Sequence, residues 1–193
     1  MKTIYSKSNI LLALIILFVF VFATIKILQL KKEKITVTNT THSLNYINCI
    51  FVEDNVNLIV TEGDSNKIYV APNIEMFYTS GCLTIYGKGN AILNVEKNTL
   101  EMIATKNNAT VKVNTNASIK FLQAYDNSSM VINLKNKTNY IEITAKDNSI
   151  IKINAPLIDS LNINADNNAL IKINSRVNKI EKKLQNNAKI KTK

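Results

Sequence analysis

Asp147-Asn148-Ser149-Ile150-Ile151-Lys152-Ile153-Asn154 decides how this chain folds, because close copies of it return at a steady interval. They read Asn107-Asn108-Ala109-Thr110-Val111-Lys112-Val113-Asn114, Asp126-Asn127-Ser128-Ser129-Met130-Val131-Ile132-Asn133 and Asn167-Asn168-Ala169-Leu170-Ile171-Lys172-Ile173-Asn174. A worn copy stands at Asn186-Asn187-Ala188-Lys189-Ile190-Lys191. The second position is Asn at 108, 127, 148, 168 and 187, giving intervals of 19, 21, 20 and 19 residues. The next position is Ala or Ser in every copy. Aliphatic side chains then alternate at a step of two, and that step with β-branched residues means strand. Asn suits a corner before the strand because it tolerates the left-handed backbone region and bonds its own main chain.

Each period holds a second strand, as in Ile141-Glu142-Ile143-Thr144-Ala145 and Leu161-Asn162-Ile163-Asn164-Ala165. A period of about twenty residues with short strands and no helix is too short for a propeller blade and lacks the leucine-rich pattern. Stacked parallel coils remain, in which equal positions lie about 4.8 Å apart along the axis. The expected fold is all-β: a parallel β-helix. Its Asn columns, at 108, 127, 148, 168 and 187 and at 114, 133, 154 and 174, are expected to form hydrogen-bonded ladders. Val56–Val60, Lys67–Val70 and Leu83–Tyr86 also alternate and read as opening coils, with Gly63-Asp64 and Ser80-Gly81 as turns. Ile180–Leu184 and the Lys-rich tail read as a cap on the last coil.

Ahead of this body, Ile10–Ile25 carries no charge and no helix breaker, and the apolar run continues past Lys26 to Leu30. As a helix, 21 residues extend about 32 Å, enough to span a bilayer core. Lys2, Lys7 and Val21-Phe22-Ala23 also fit a cleaved signal peptide, but the run to Leu30 favours an uncleaved anchor. The expected organisation is an anchor at 1–30 with the bilayer as partner of residues 10–30, a polar linker at 31–43, and the β-helix at 44–193 outside the cytoplasm.

The formal charge of +10 is concentrated at the ends. Residues 1–34 hold six Lys and one Glu, 171–193 hold eight Lys or Arg and one Glu, and 35–170 hold ten Lys against twelve acids, a balance of −2. No basic stripe interleaved with aromatics is legible in the body, so nucleic acid is not an expected partner. Cys49 and Cys82, 33 residues apart, allow neither a zinc knuckle nor a CxxC site. One disulfide in an exported domain and two small buried hydrophobes are both open readings.

The opening Ile50-Phe51-Val52-Glu53-Asp54-Asn55-Val56-Asn57-Leu58-Ile59-Val60-Thr61-Glu62-Gly63, the stretch Ser80-Gly81-Cys82-Leu83-Thr84-Ile85 and the repeated corner together resemble the auto-transporter adhesin head, or GIN, domain family of Bacteroidetes envelope proteins. The likeness covers roughly residues 46–190. The family corner resembles Ser-Gly-Ala-Ser, and here Asn127, Asn148 and Asn168 stand for its Gly, which keeps the access to positive φ. The resemblance implies a right-handed parallel β-helix outside the cytoplasm and a role in adhesion. It carries no catalytic residues.

Catalytic chemistry is not legible. The one histidine, His42, falls in the linker, so Ser–His and Cys–His pairs have no base in the domain. Glu62 and Asp64 flank Gly63 and read as a solvated turn; Asp126 and Asp147 share a column and read as corner residues rather than metal ligands. No cofactor and no metal is expected. Tyr46, Tyr69, Tyr78, Tyr86, Tyr125 and Tyr140 share no repeat column, which argues against a sugar-stacking face. The expected function is a non-enzymatic, membrane-anchored, adhesin-like surface module with an envelope glycan or protein as ligand. The alternatives are a self-assembling bactofilin-like scaffold and, behind it, a polysaccharide-acting β-helix enzyme.

Overall fold

The structure is a computed structural model and describes residues 40–192. The anchor expected at 1–30 and the linker residues up to 39 lie outside the described residues, among which no helix is long and apolar enough to cross a membrane.

Each repeated corner holds two successive residues at positive φ: 52° and 64° at Asn107-Asn108, 51° and 59° at Asp126-Asn127, 55° and 60° at Asp147-Asn148, 47° and 60° at Asn167-Asn168, 44° and 62° at Asn186-Asn187. The following residue donates its N–H to the carbonyl three residues back, at 3.2 Å in Ala109 to Lys106, Ser128 to Tyr125 and Ser149 to Lys146. A type I′ turn requires that positive pair, and Asn and Asp are among the few side chains that accept it. The small residue next in line is fully buried inside the corner, at 0% exposure for Ala109, Ser128, Ser149 and Ala169. Ser128 satisfies its hydroxyl against Thr105 Oγ1 at 2.9 Å, whereas buried Ser149 Oγ has no partner. Ser149→Ala is therefore expected to raise the unfolding free energy by about 1 kcal/mol, and Ser128→Ala to lower it by about as much. Urea unfolding of the two variants checks the pair.

Fourteen strands follow: β1 (Thr40–Ser43), β2 (Cys49–Val52), β3 (Asn55–Gly63), β4 (Lys67–Val70), β5 (Ile74–Thr79), β6 (Cys82–Glu96), β7 (Met102–Thr105), β8 (Thr110–Thr115), β9 (Phe121–Ala124), β10 (Ser129–Leu134), β11 (Thr138–Ala145), β12 (Ile150–Ala165), β13 (Leu170–Leu184) and β14 (Lys189–Thr192). All belong to one hydrogen-bonded sheet, and the described residues are all-β. Two parallel ladders dominate it. In the first, β6, β3, β8, β10, β12, β13 and β14 lie side by side, with Val60, Val113, Ile132, Ile153 and Ile173 as successive partners. In the second, β6, β2, β7, β9, β11, β12 and β13 do, with Ile50, Ile103, Leu122, Ile143 and Ile163 as partners. β6, β12 and β13 are long enough to serve both ladders, each with a different half. The inward aliphatics of the two ladders pack into one cluster. β6 passes from one ladder to the other at Gly87, whose φ of +114° and whose approach to Asn73 leave no room for a side chain: a Cβ would sit 2.3 Å from the Asn73 carbonyl oxygen.

Three expectations need correction. β4, read as an opening coil, pairs antiparallel with β6, as does β5, which the alternation did not mark, so the sheet is mixed. Ser80-Gly81, at φ 49° and 83°, is a two-residue hairpin loop between Thr79 and its partner Cys82, and so short a loop can join only antiparallel strands. Thr40–Ser43, read as the end of a linker, is strand β1, antiparallel to β4, with His42 opposite Ile68; the β4 edge offers its backbone partners. Ile180–Leu184, read as part of a cap, is the second half of β13, in register with Leu161–Ala165 of β12. Its backbone pairs residue by residue with the rung before it, so it adds a rung instead of folding over one, although Lys182 stands opposite buried Ile163.

Candidate binding faces

Period-two alternation sends Ile50 and Val52 inward and turns Cys49 and Phe51 to the outer face of the second ladder. Cys49 and Cys82 are register partners on adjacent strands, with Cα atoms 4.6 Å apart, and they form a disulfide. Of the two readings open in the sequence, the buried-hydrophobe one is therefore excluded. Beside the disulfide runs a row of outward partners: Phe77, Thr84, Phe51, Ala104 and Gln123. Ala104 is the smallest of them, and over it lies a hollow of about 180 Å³ lined by Phe51, Glu53, Lys106, Gln123 and Tyr125 among others. Phe77 is 61% exposed, and Tyr86 and Phe121 are also exposed. Tyr86 Oη donates to Glu75 Oε2 at 2.8 Å, and that carboxylate pushes its phenol up. Burial pushes the Tyr125 phenol up, so it remains an O–H donor at neutral pH.

The tyrosines share no repeat column, but Phe77 reaches the row through the antiparallel hairpin and Phe51 through β2, neither of which obeys the twenty-residue period. Tyr78 takes no part: its hydroxyl donates to the Tyr46 carbonyl at 2.5 Å.

The outer face of the first ladder is polar. Asn133 Nδ2 donates to Asn114 Oδ1 at 2.7 Å, Asn154 to Asn133 at 2.6 Å and Asn174 to Asn154 at 2.8 Å. Thr61 Oγ1 donates to Asn94 Oδ1 at 2.8 Å in the same row. At the corners, Asn148 donates to Asn127 and Asn168 to Asn148, both at 3.3 Å. Asn108 occupies the same turn position and gives its backbone N–H to the Asp126 carbonyl; Asn187 closes the series with φ 62°. Asn167 Nδ2 donates to Asp147 Oδ1 at 2.7 Å, which ties that acid into the corner.

Two residues before the amide row runs another. Lys112, Val131, Lys152, Lys172 and Lys191 are successive register partners. Charge summed along the chain hides this row, because its lysines recur once per period; no aromatic interleaves it.

Glu62 is not a solvated turn residue. Thr115 Oγ1 and the Asn116 N–H donate to its Oε1 at 2.9 and 2.7 Å, and Asn116 Nδ2 donates to Oε2. Partial burial is the largest single influence and opposes the charge, but these hydrogen bonds, with nearby Lys135, outweigh it and hold the carboxyl below the ordinary glutamate value of 4.5. A depressed acid contributes stability above its unfolded value and loses it as pH falls through the folded one. Glu62→Gln is thus expected to be less stable than the parent at pH 7, with the gap closing below pH 4.5. Urea midpoints at several pH values check it; a gap that does not narrow as pH falls below 4.5 would refute it.

Among the described residues no three His, Cys, Asp or Glu converge as a metal set. No family model matches the chain, and no curated protein matches it. Among solved structures it is similar to a "putative adhesin" from Parabacteroides distasonis at 17% identity and TM-score 0.47, over 81% of this chain and 94% of that one. A "putative adhesin" from Parabacteroides merdae is similar at 13% and TM-score 0.37, over 81% and 95%. A third, from Bacteroides fragilis, is similar at 10% and 0.36, over 80% and 94%. Each of these three solved structures is described as a "putative adhesin".

Proposed function

We propose that this chain is a non-enzymatic, adhesin-like surface module: a right-handed parallel β-helix, held at the cell membrane by residues 10–30, that presents a glycan-binding face outside the cytoplasm. The observation that carries the binding function is the aromatic-rimmed hollow over Ala104. The β-helix is supported by parallel pairing between residues one period apart, such as Ile132 with Ile153 and Ile153 with Ile173. A place outside the cytoplasm is supported by the Cys49–Cys82 disulfide, since such bonds persist in oxidising compartments.

At about 180 Å³ the hollow is below the roughly 300 Å³ at which small-molecule pockets begin. It suits one ring of a longer ligand better than a whole substrate. Phe51 and Tyr125 supply apolar surface, and Glu53, Lys106 and Gln123 supply hydrogen-bonding groups around it, the combination that a sugar ring with one apolar face requires.

The test is glycan-array binding by the full-length chain in neutral detergent, compared with Ala104→Trp, which fills the hollow from its floor. Loss of binding with unchanged thermal stability is expected. Glycan binding indifferent to Ala104→Trp would remove this face from the function; binding of proteins alone would make the ligand a protein. The scaffold alternative has one observation in its favour, the exposure of Ile180 and Leu184 on β13, 39% and 37%, where their β12 partners Leu161 and Ala165 are buried. Sedimentation across protein concentration separates the two: a monomer is expected, and concentration-dependent filaments would favour the scaffold.

A further inference from the structure

We infer that the lysine row of the first ladder is a second binding site, distinct from the aromatic face, and that its ligand is an anionic glycan chain lying along the strand stack. Lys112, Lys152, Lys172 and Lys191 point outward in one row broken only by Val131, and Lys189 stands on the same face, opposite Leu170. The outward positions of β8, β10, β14 and the first halves of β12 and β13 include five lysines and no acid. Among the described residues the ion pairs are Lys120–Glu101, Lys137–Asp159 and Lys179–Glu181, so none neutralises the row.

Like charges directly opposite on neighbouring strands destabilise a sheet. Protection of an exposed sheet edge explains Lys189 and Lys191, which lie on β14. It does not explain Lys152 and Lys172, whose strands are paired on both sides. A polyanion running across the strands removes that repulsion, meeting one ammonium about every 4.8 Å over the last three rungs.

The neighbouring row selects the polymer. Asn133 and Asn154 each use one amide N–H and one carbonyl lone pair in the ladder, which leaves a second of each by the inventory of the side chain. Sugar hydroxyls can both donate to and accept from such amides. Stacking of single-stranded bases calls for aromatics, and the row from Lys112 to Lys191 has none. A hollow of about 440 Å³ at the last rungs, lined by Asn168, Leu170, Asn187, Lys189 and Lys191, extends the same surface.

The probe is polygalacturonate, with neutral dextran, single-stranded oligothymidylate and anionic vesicles as comparisons, offered to the full-length chain in neutral detergent, or reconstituted where vesicles are used. The parent is expected to bind polygalacturonate in preference to all three. Lys152→Gln/Lys172→Gln is expected to weaken it by at least about tenfold and to reduce the slope of log affinity against log salt by about two. Lys120→Gln, which removes a lysine paired elsewhere, is expected to leave affinity unchanged. Polygalacturonate should raise the melting temperature of the parent more than that of the double variant, whose unliganded melting temperature should equal or exceed the parent's. Equal binding of dextran, or unchanged affinity in the double variant, would overturn the site. Preference for oligothymidylate or vesicles would overturn its assignment to a glycan.

Discussion

Reduction of the Cys49–Cys82 disulfide is expected to lower the unfolding free energy by about 3–4 kcal/mol. The bond closes a loop with a sequence separation of 33, and the chain-entropy treatment of a loop that long yields this magnitude. Nothing in the folded sheet compensates for its loss: the loop contains β5, an edge strand that pairs only with β6. For a body of this size the change corresponds to roughly 10 °C in melting temperature. Thermal unfolding with and without a phosphine reductant measures it, and Cys49→Ala/Cys82→Ala should match the reduced parent. A melting temperature indifferent to reductant would show that the bond does not form or does not constrain the unfolded chain. The weakening should be greatest in β2, β5 and the first half of β6, which hydrogen exchange would locate.

The second large effect is at Ile153. This side chain is fully buried in the column Val60, Val113, Ile132, Ile153 and Ile173. Ile153→Ala is expected to cost about 2–5 kcal/mol, as lost transfer energy plus an unfilled cavity. Its chain neighbour Lys152 points the other way, and Lys152→Ala should change stability by no more than about 0.5 kcal/mol or stabilise by relieving Lys152–Lys172 repulsion. Urea unfolding of both variants tests the register itself. A one-residue slip would exchange the two phenotypes, because it would exchange the faces.

The first ladder was legible because every feature that builds it is local and repeated. Asx-Asn specifies a positive-φ pair, the Ala or Ser after it fits the buried corner, and the step of two places Ile151 and Ile153 inside. A single register satisfies all these demands in successive copies, so equal positions stack and the amides of Asn133, Asn154 and Asn174 meet. The lysine row was equally present, at 112, 152, 172 and 191, but it is visible only when charge is read down the repeat instead of along the chain. The residues before 100 were misread in part, because short alternating runs such as Lys67–Val70 fit parallel and antiparallel pairing alike. Ser80-Gly81, too short for a crossover, marks only β5 and β6 as antiparallel; the pairing of Lys67–Val70 with Ala91–Asn94 has no such local mark.

Local chemistry in the chain therefore set the corners, the inward and outward faces and the period, since each depends on the φ preference or polarity of residues close together in sequence. The tertiary structure alone decided the rest. It brought Cys49 beside Cys82, set Phe77 and Phe51 on either side of Thr84, opened a hollow above Ala104 and clamped Glu62 onto Asn116. These groupings join residues as far as 74 apart in sequence, as Phe51 and Tyr125 are around the hollow. What brings them together is the pairing of whole strands across one shared core, and no short stretch of sequence encodes that.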